Sequence, residues 1–333
     1  MIPRLLVGDI HYTGEDINRD PLRAIHVSQM WVTDIAKEVR PEEIIILGDI
    51  FGAGAYESHV NISANHLLIF ENWIYNLAEY CKVVRILSGN HDFIDRELQT
   101  SLLEYKLALN DKKIDVISAP IQGKDGVYFL PWNSKSVPES GCVISHLDYV
   151  DCMIRNYKMP TGMDIRTKAG PLVIYNGHYH NPSRQQIGNT TLFNVGSLVS
   201  HDFNDYEEKR YLYLIRDEVT RRFENPHTDI FVTIESMDDT NLIAQLEQRS
   251  ENKARTNLKI VCDEKTLDST IRDKIRGFKS YRVQRTAKNV SVSRVSKEIQ
   301  SSLPMLLEAY VDKSGTNLDK DRLKQVGLTL LGG

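Results

Sequence analysis

Asp, His and Asn residues recur behind short apolar runs in this chain. They stand in Gly8-Asp9-Ile10-His11, Gly48-Asp49-Ile50-Phe51, Gly89-Asn90-His91-Asp92, Ser145-His146 and Gly177-His178-Tyr179-His180. Any one of them would read as a turn former or a surface residue. Together they form a ligand set. Two divalent cations about 3.5–4 Å apart need a shared anionic bridge and several nitrogen or oxygen ligands on each side. Asp49 can bridge, because a carboxylate has two oxygens, and Asn90 can offer a neutral carbonyl. His11, His146, His178, His180 and Asp9 complete the two shells. Mixed imidazole and carboxylate ligands suit manganese, iron or zinc better than calcium or magnesium, and two divalent ions, manganese foremost, are the expected cofactor.

The elements that must position these residues can be read from apolar spacing. Leu5-Leu6-Val7, Ile44–Leu47 and Val83–Leu87 are short β-type runs. Leu22, Ile25, Val32, Ile35 and Val39 lie between the first two at helical spacing, and Val60 through Ala78 between the second and third. Strand, helix, strand, helix, strand implies parallel crossovers. Further strands are expected at 115–118, 127–130, 142–145, 172–175 and 211–216. Gly188-Asn189 forms a hairpin turn between 184–187 and 190–194. The fold class is therefore α/β: two sheets packed face to face, flanked by helices. In open α/β sheets ligands gather just past the carboxyl ends of strands, where these Asp, His and Asn residues stand.

Asn225-Pro226 marks a boundary. Residues 1–225 form the expected catalytic domain. Residues 226–290 read as a small α/β capping module, with strands at 230–234, 258–262 and 281–283 and helices at 241–247 and 267–275. Residues 291–333 read as a polar linker followed by two apolar-faced helices, Leu303–Val311 and Leu323–Leu331.

The composition, 41% hydrophobic and 26% charged, excludes a disordered or fibrous chain. No apolar run approaches the roughly 20 residues that span a bilayer, and the N-terminal segment reads as a strand instead of a signal peptide. The four cysteines form no C-x-x-C pair, which fits free thiols in a reducing, cytoplasmic setting. The net charge of −4 is unevenly spread: thirteen Lys and Arg face five acids between Glu251 and Lys297, a local +8. A basic module on an acidic body is an electrostatic candidate for nucleic acid, although solvated helix faces carry such charge too.

The five motifs resemble, in order, those of the calcineurin-like metallophosphoesterases. Within that superfamily the chain is most similar to SbcD-type DNA double-strand-break repair nucleases and their phage recombination-endonuclease counterparts. Leu130-Pro131-Trp132, Gly196-Ser197 with Asp202-Phe203 and Lys209, and the layout of cap and terminal helices carry that finer likeness. The resemblance implies that Asp9, His11 and His180 hold one metal, that Asn90, His146 and His178 hold the other, and that Asp49 bridges. His91 would be catalytic, contacting the scissile phosphate and protonating the leaving group. Some members carry His or Asp after the Gly-Asp-aliphatic-Phe motif, where this chain has Gly52; a strand-separating or exonuclease role tied to that side chain does not carry over. The implied function is a metal-dependent DNA nuclease subunit acting with an SbcC-type SMC-like ABC ATPase in double-strand-break repair and recombination. The implied location is the cytoplasm, that of the host if the chain is phage-encoded. A homodimer is a second candidate assembly. The competing reading is another calcineurin-like phosphoesterase, a protein phosphatase or small-molecule phosphodiesterase.

Overall fold

The computed structural model of the chain describes residues 2–12, 21–52, 64–93, 112–201, 205, 209–216, 219–235, 239–262 and 269–285. The terminal helices expected at Leu303–Val311 and Leu323–Leu331, the linker before them and Asp202-Phe203 lie outside these residues.

Two six-stranded sheets dominate. The first contains β1 (Arg4–Val7), β2 (Glu43–Ile46), β3 (Val83–Leu87) and β4 (Ile114–Ile117), all parallel. The second is built on β6 (Tyr128–Leu130), β7 (Gly141–Ser145), β10 (Leu172–Asn176) and β12 (Thr190–Asn194), also parallel. Helices α1 (Pro21–Val39) and α2 (Ala64–Ala78) provide the crossovers of the first sheet.

Side-chain alternation explains the layering. Successive residues of a strand face opposite sides. Leu5 and Val7 of β1, with Ile44 and Ile46 of β2, pack on Ile25 and Val32 of α1 and Phe70 and Ile74 of α2. Leu6 and Ile45, one residue along, face the second sheet and meet Phe129, Ile144 and Tyr175. Both faces of these strands are buried, hence their unbroken apolar runs. The far face of the second sheet buries Val143, Ile174 and Leu192 against Tyr149, Ile165 and Tyr179.

Antiparallel strands finish the edges. β5 (Ile121–Gln122) and β11 (Ser183–Ile187) flank the second sheet. β13 (Tyr211–Arg216) runs against β1, and β14 (Val219–Glu224) lies outside it. β14 is not among the strands expected from the sequence, because it is charged. It is an edge strand whose arginines lie over aromatic rings, Arg222 on Tyr211 and Arg221 on Phe223. The small hairpin of β8 (Met153–Ile154) and β9 (Tyr157–Lys158) is likewise unexpected; two-residue strands carry no periodicity.

The C-terminal module has its own core. β15 (Ile230–Glu235), β16 (Thr256–Cys262) and β17 (Ser280–Arg285) form a parallel sheet. α3 (Asp239–Gln248) and α4 (Ser269–Ile275) pack Leu242, Leu246, Ile271 and Ile275 onto Val232, Ile234, Leu258 and Ile260. No described helix is long and apolar enough to cross a membrane.

Candidate dinuclear metal centre

The carboxyl ends of β1, β2 and β3 in one sheet and of β7 and β10 in the other converge on one cluster. His11, Asp49 and His178 have left-handed backbones, with φ of 50°, 48° and 70°. Asp and His adopt this region more readily than most residues, and here it turns each side chain sharply off its strand end. Gly48 and Gly89 make room for the turn. A Cβ on Gly89 would stand 2.2 Å from Asp49 Oδ1, and one on Gly48 would stand 2.7 Å from His146 Nδ1.

Among the described residues, three groups have ligand atoms all within 4.8 Å of one another: Asp9, His11 and His180; Asp49, His146 and His178; and His11, Asp49 and His91. His11 Nε2 and His180 Nε2 are 3.0 Å apart. Asn90 Oδ1 lies 3.1 Å from His146 Nε2 and 3.0 Å from His178 Nδ1. Asp49 Oδ2 lies 3.2 Å from His146 Nε2 and 3.7 Å from His11 Nε2, so it reaches toward both clusters. All eight residues singled out in the sequence therefore share this cluster. His91 lies beside Asp49, its Nε2 4.0 Å from Asp49 Oδ2, and is also among the grouped atoms.

The far nitrogens of three imidazoles are held. His146 Nδ1–H donates to the Leu47 carbonyl at 2.7 Å. His178 Nε2 meets Asp148 Oδ1 at 2.9 Å, and His180 Nδ1 lies 3.4 Å from Asp205 Oδ1. Such partners fix ring orientation and leave the inner nitrogen for a ligand. Asp148 is itself braced by the Tyr179 hydroxyl at 2.8 Å. The buried Arg210 lies 3.4 Å from Asp205 and donates to the His180 carbonyl. Trp132 packs on His178, ring centroids 4.9 Å apart. Asp148, Asp205, Arg210 and His201, whose ring stands 5.1 Å from that of His11, were not found in the sequence. Asp148 alone had a local signal, two residues after His146.

The residues fit metal ions on a direct observation. Asp9 has no solvent exposure, and neither carboxylate oxygen accepts a hydrogen bond. A buried carboxylate so placed is costly unless a cation compensates it. Without one, burial pushes Asp9 up to about 6 against the His146 imidazole 3.9 Å away, with the neighbouring Asp49 charge adding to the rise. Burial opposes protonation of His146, but the Asp49 and Asp9 carboxylates overcome it and raise the imidazole to about 9. Burial would raise Asp49, yet the His146 imidazole outweighs it and holds the carboxyl below its usual range. His11 is pushed well below the usual imidazole range, first by burial.

Two predictions arise here. Asp9 and His146 could each hold a metal ion only when deprotonated. Affinity should therefore climb between pH 6 and 9 by up to about tenfold per unit for each proton displaced, and more steeply below about 6 as Asp9 takes up a proton. Calorimetry in buffers of different ionisation enthalpy reads the released protons; a pH-independent affinity contradicts this coupling. Asp148→Asn should weaken metal binding roughly 10- to 100-fold, because it loosens His178 without removing a ligand. Metal titration measures that, and an unchanged affinity removes Asp148 from the site.

A two-sheet α/β sandwich with a His/Asp cluster at its strand ends is the architecture of a metal-dependent phosphoesterase. The sequence matches the calcineurin-like phosphoesterase family over residues 2–216, and the chain belongs to that family. No curated protein matches the chain.

Proposed function

We infer that this protein is a dinuclear metal-dependent phosphodiesterase that cleaves DNA, the nuclease subunit of an assembly driven by an SbcC-type SMC-like ABC ATPase. The observation that carries the metal chemistry is the buried Asp9 carboxylate, without a hydrogen bond, beside two imidazole nitrogens 3.0 Å apart. Asp9, His11 and His180 would hold one ion, Asn90, His146 and His178 the other, with Asp49 shared. Manganese suits this donor set. Bound there, the ions would supply Lewis-acid stabilisation of a phosphoryl group and an acidified water. Asp49 is held for sharing by the His91 amide, which donates to Oδ1 at 2.9 Å. His91 keeps a partly exposed ring at the edge of the cluster, where an imidazolium can hand its proton to the departing alkoxide.

The DNA reading rests on the likeness carried by Leu130-Pro131-Trp132 and the residues from Gly196 to Lys209, and on the basic C-terminal module. Some of that charge is already paired: Lys274 with Glu247 at 2.5 Å and Lys279 with Asp229 at 2.5 Å. Arg276 meets Asp273 only across an exposed helix turn, an arrangement worth little in water. Reversing Arg272 and Arg276 should therefore weaken DNA binding and flatten its salt dependence, by about one unit of slope for each phosphate that is no longer neutralised; an unchanged slope means the charges are merely solvated.

The deciding experiment is metal-dependent digestion of linear, circular and single-stranded DNA, run beside dye-linked diesters and monoesters. Cleavage of DNA and diester that stops in chelator is the expected result. Turnover of the monoester alone would replace this reading with a phosphatase. Deleting residues after Ser302 should abolish co-purification with the ATPase subunit while sparing diester hydrolysis.

A further inference from the structure

A cavity of about 440 Å³, lined by none of the cluster residues, lies where the catalytic domain meets the C-terminal module. Its lining includes Ser200, Lys209 and Glu224, the guanidinium residues Arg249 and Arg255, and Phe231 of β15. Its charge is one-sided. Its lining carries three basic residues, Lys209, Arg249 and Arg255, and one acid, Glu224, which Lys209 holds at 2.8 Å; Arg249 also donates to the Gln245 carbonyl at 3.0 Å. In a chain of net charge −4 this is a local excess of cations. Arg255 is anchored by the carbonyls of Pro226 and Thr228 and lies 3.4 Å from Asn252 Oδ1. A guanidinium fixed in this way loses little freedom on meeting an oxyanion, and its planar fork suits a phosphate. Ile230, Phe231, Val232 and Pro226 give the cavity apolar lining beside the charged one. A planar apolar body carrying a phosphate satisfies both halves, and the volume lies in the range of small-ligand sites.

We propose that this interdomain cavity is a binding site for a nucleoside phosphate, with the phosphate on Arg249 and Arg255 and the base against the apolar lining. Its wall is joined to the metal-ligand shell. Arg210 donates from Nε to Ser200 Oγ at 3.0 Å and also to the carbonyl of His180, so a ligand pressing on Ser200 is one hydrogen-bonded residue away from His180.

The test uses the metal-loaded full-length protein. AMP, ATP, adenosine and inorganic phosphate are titrated by calorimetry, and 8-azido-AMP is photocrosslinked and mapped by mass spectrometry. Label on β15 or on the Ser250–Arg255 turn supports the site, as does binding that weakens roughly 10- to 100-fold when the phosphate is removed or in Arg249→Ala. The relative affinities of AMP and ATP show whether a mononucleotide or a triphosphate is the source. Label confined to the loops bearing His91 and His178 would mean that nucleotide binds the metal centre only, and would overturn the proposal. So would the absence of saturable binding of AMP and ATP below about 1 mM. The crosslink map needs no variant, so a misfolded Arg249→Ala leaves the proposal decidable.

Discussion

Asp49→Ala should reduce phosphodiester hydrolysis roughly 10³-fold or more, the largest loss of any single substitution in the site. A shared ligand contributes to both ions, and each ion is worth several kcal/mol of charge stabilisation in the transition state. Asp49 is 2% exposed, and its Oδ2 lies within 3.7 Å of both the His146 and the His11 Nε2 atoms. Its φ of 48° adds a complication, since alanine resists the left-handed region by about 1–2 kcal/mol. Asp49→Asn resolves this, because asparagine tolerates that backbone yet cannot supply the charge. Both variants should fold by circular dichroism and bind less metal by elemental analysis. Undiminished hydrolysis in either would sink the two-metal arrangement.

His91→Ala should behave differently. A proton donor to the leaving group contributes roughly 10²–10⁴-fold, and its loss should appear in kcat with both metals retained. The geometry makes this a sharp test, because His91 Nε2 stands within the same 4.8 Å grouping as His11 and Asp49. If the alanine variant loses an ion, His91 is a ligand. A substrate with a leaving group that needs no protonation should recover much of the missing rate if His91 is an acid. A ligand would give no such rescue.

The strand-end cluster was legible in the sequence because its residues follow β-branched or apolar runs and turn at glycine, a pattern that physics restricts to few folds. β1, β2 and β3 announce themselves by apolar runs, since both faces of those strands are buried. β14 does not, for an edge strand can be charged along much of its length. The groups that orient the ligands were harder still. Asp205 and Arg210 meet His180 only through the tertiary fold, and nothing in the order His201 to Arg210 sets them apart from a polar loop. The role of Trp132 against His178 was likewise invisible, although its Leu-Pro-Trp setting stands out. The basic excess of the C-terminal segment is legible as a sum, but the sum conceals that Lys274 and Lys279 are paired within the module.

His11 and His180 lie 169 residues apart in sequence and 3.0 Å apart in space. A contact so distant along the chain has a consequence for synthesis. Until the ribosome has passed β10, the emerging polypeptide has Asp9, His11 and Asp49 but not His178 and His180. The growing chain thus has no finished catalytic centre, however long translation pauses. With the proposed ligand set, hydrolytic competence would switch on only when β10 is docked beside β7 and its trailing histidines reach the end of β1, so the chain would not act on a phosphoester before that docking is complete.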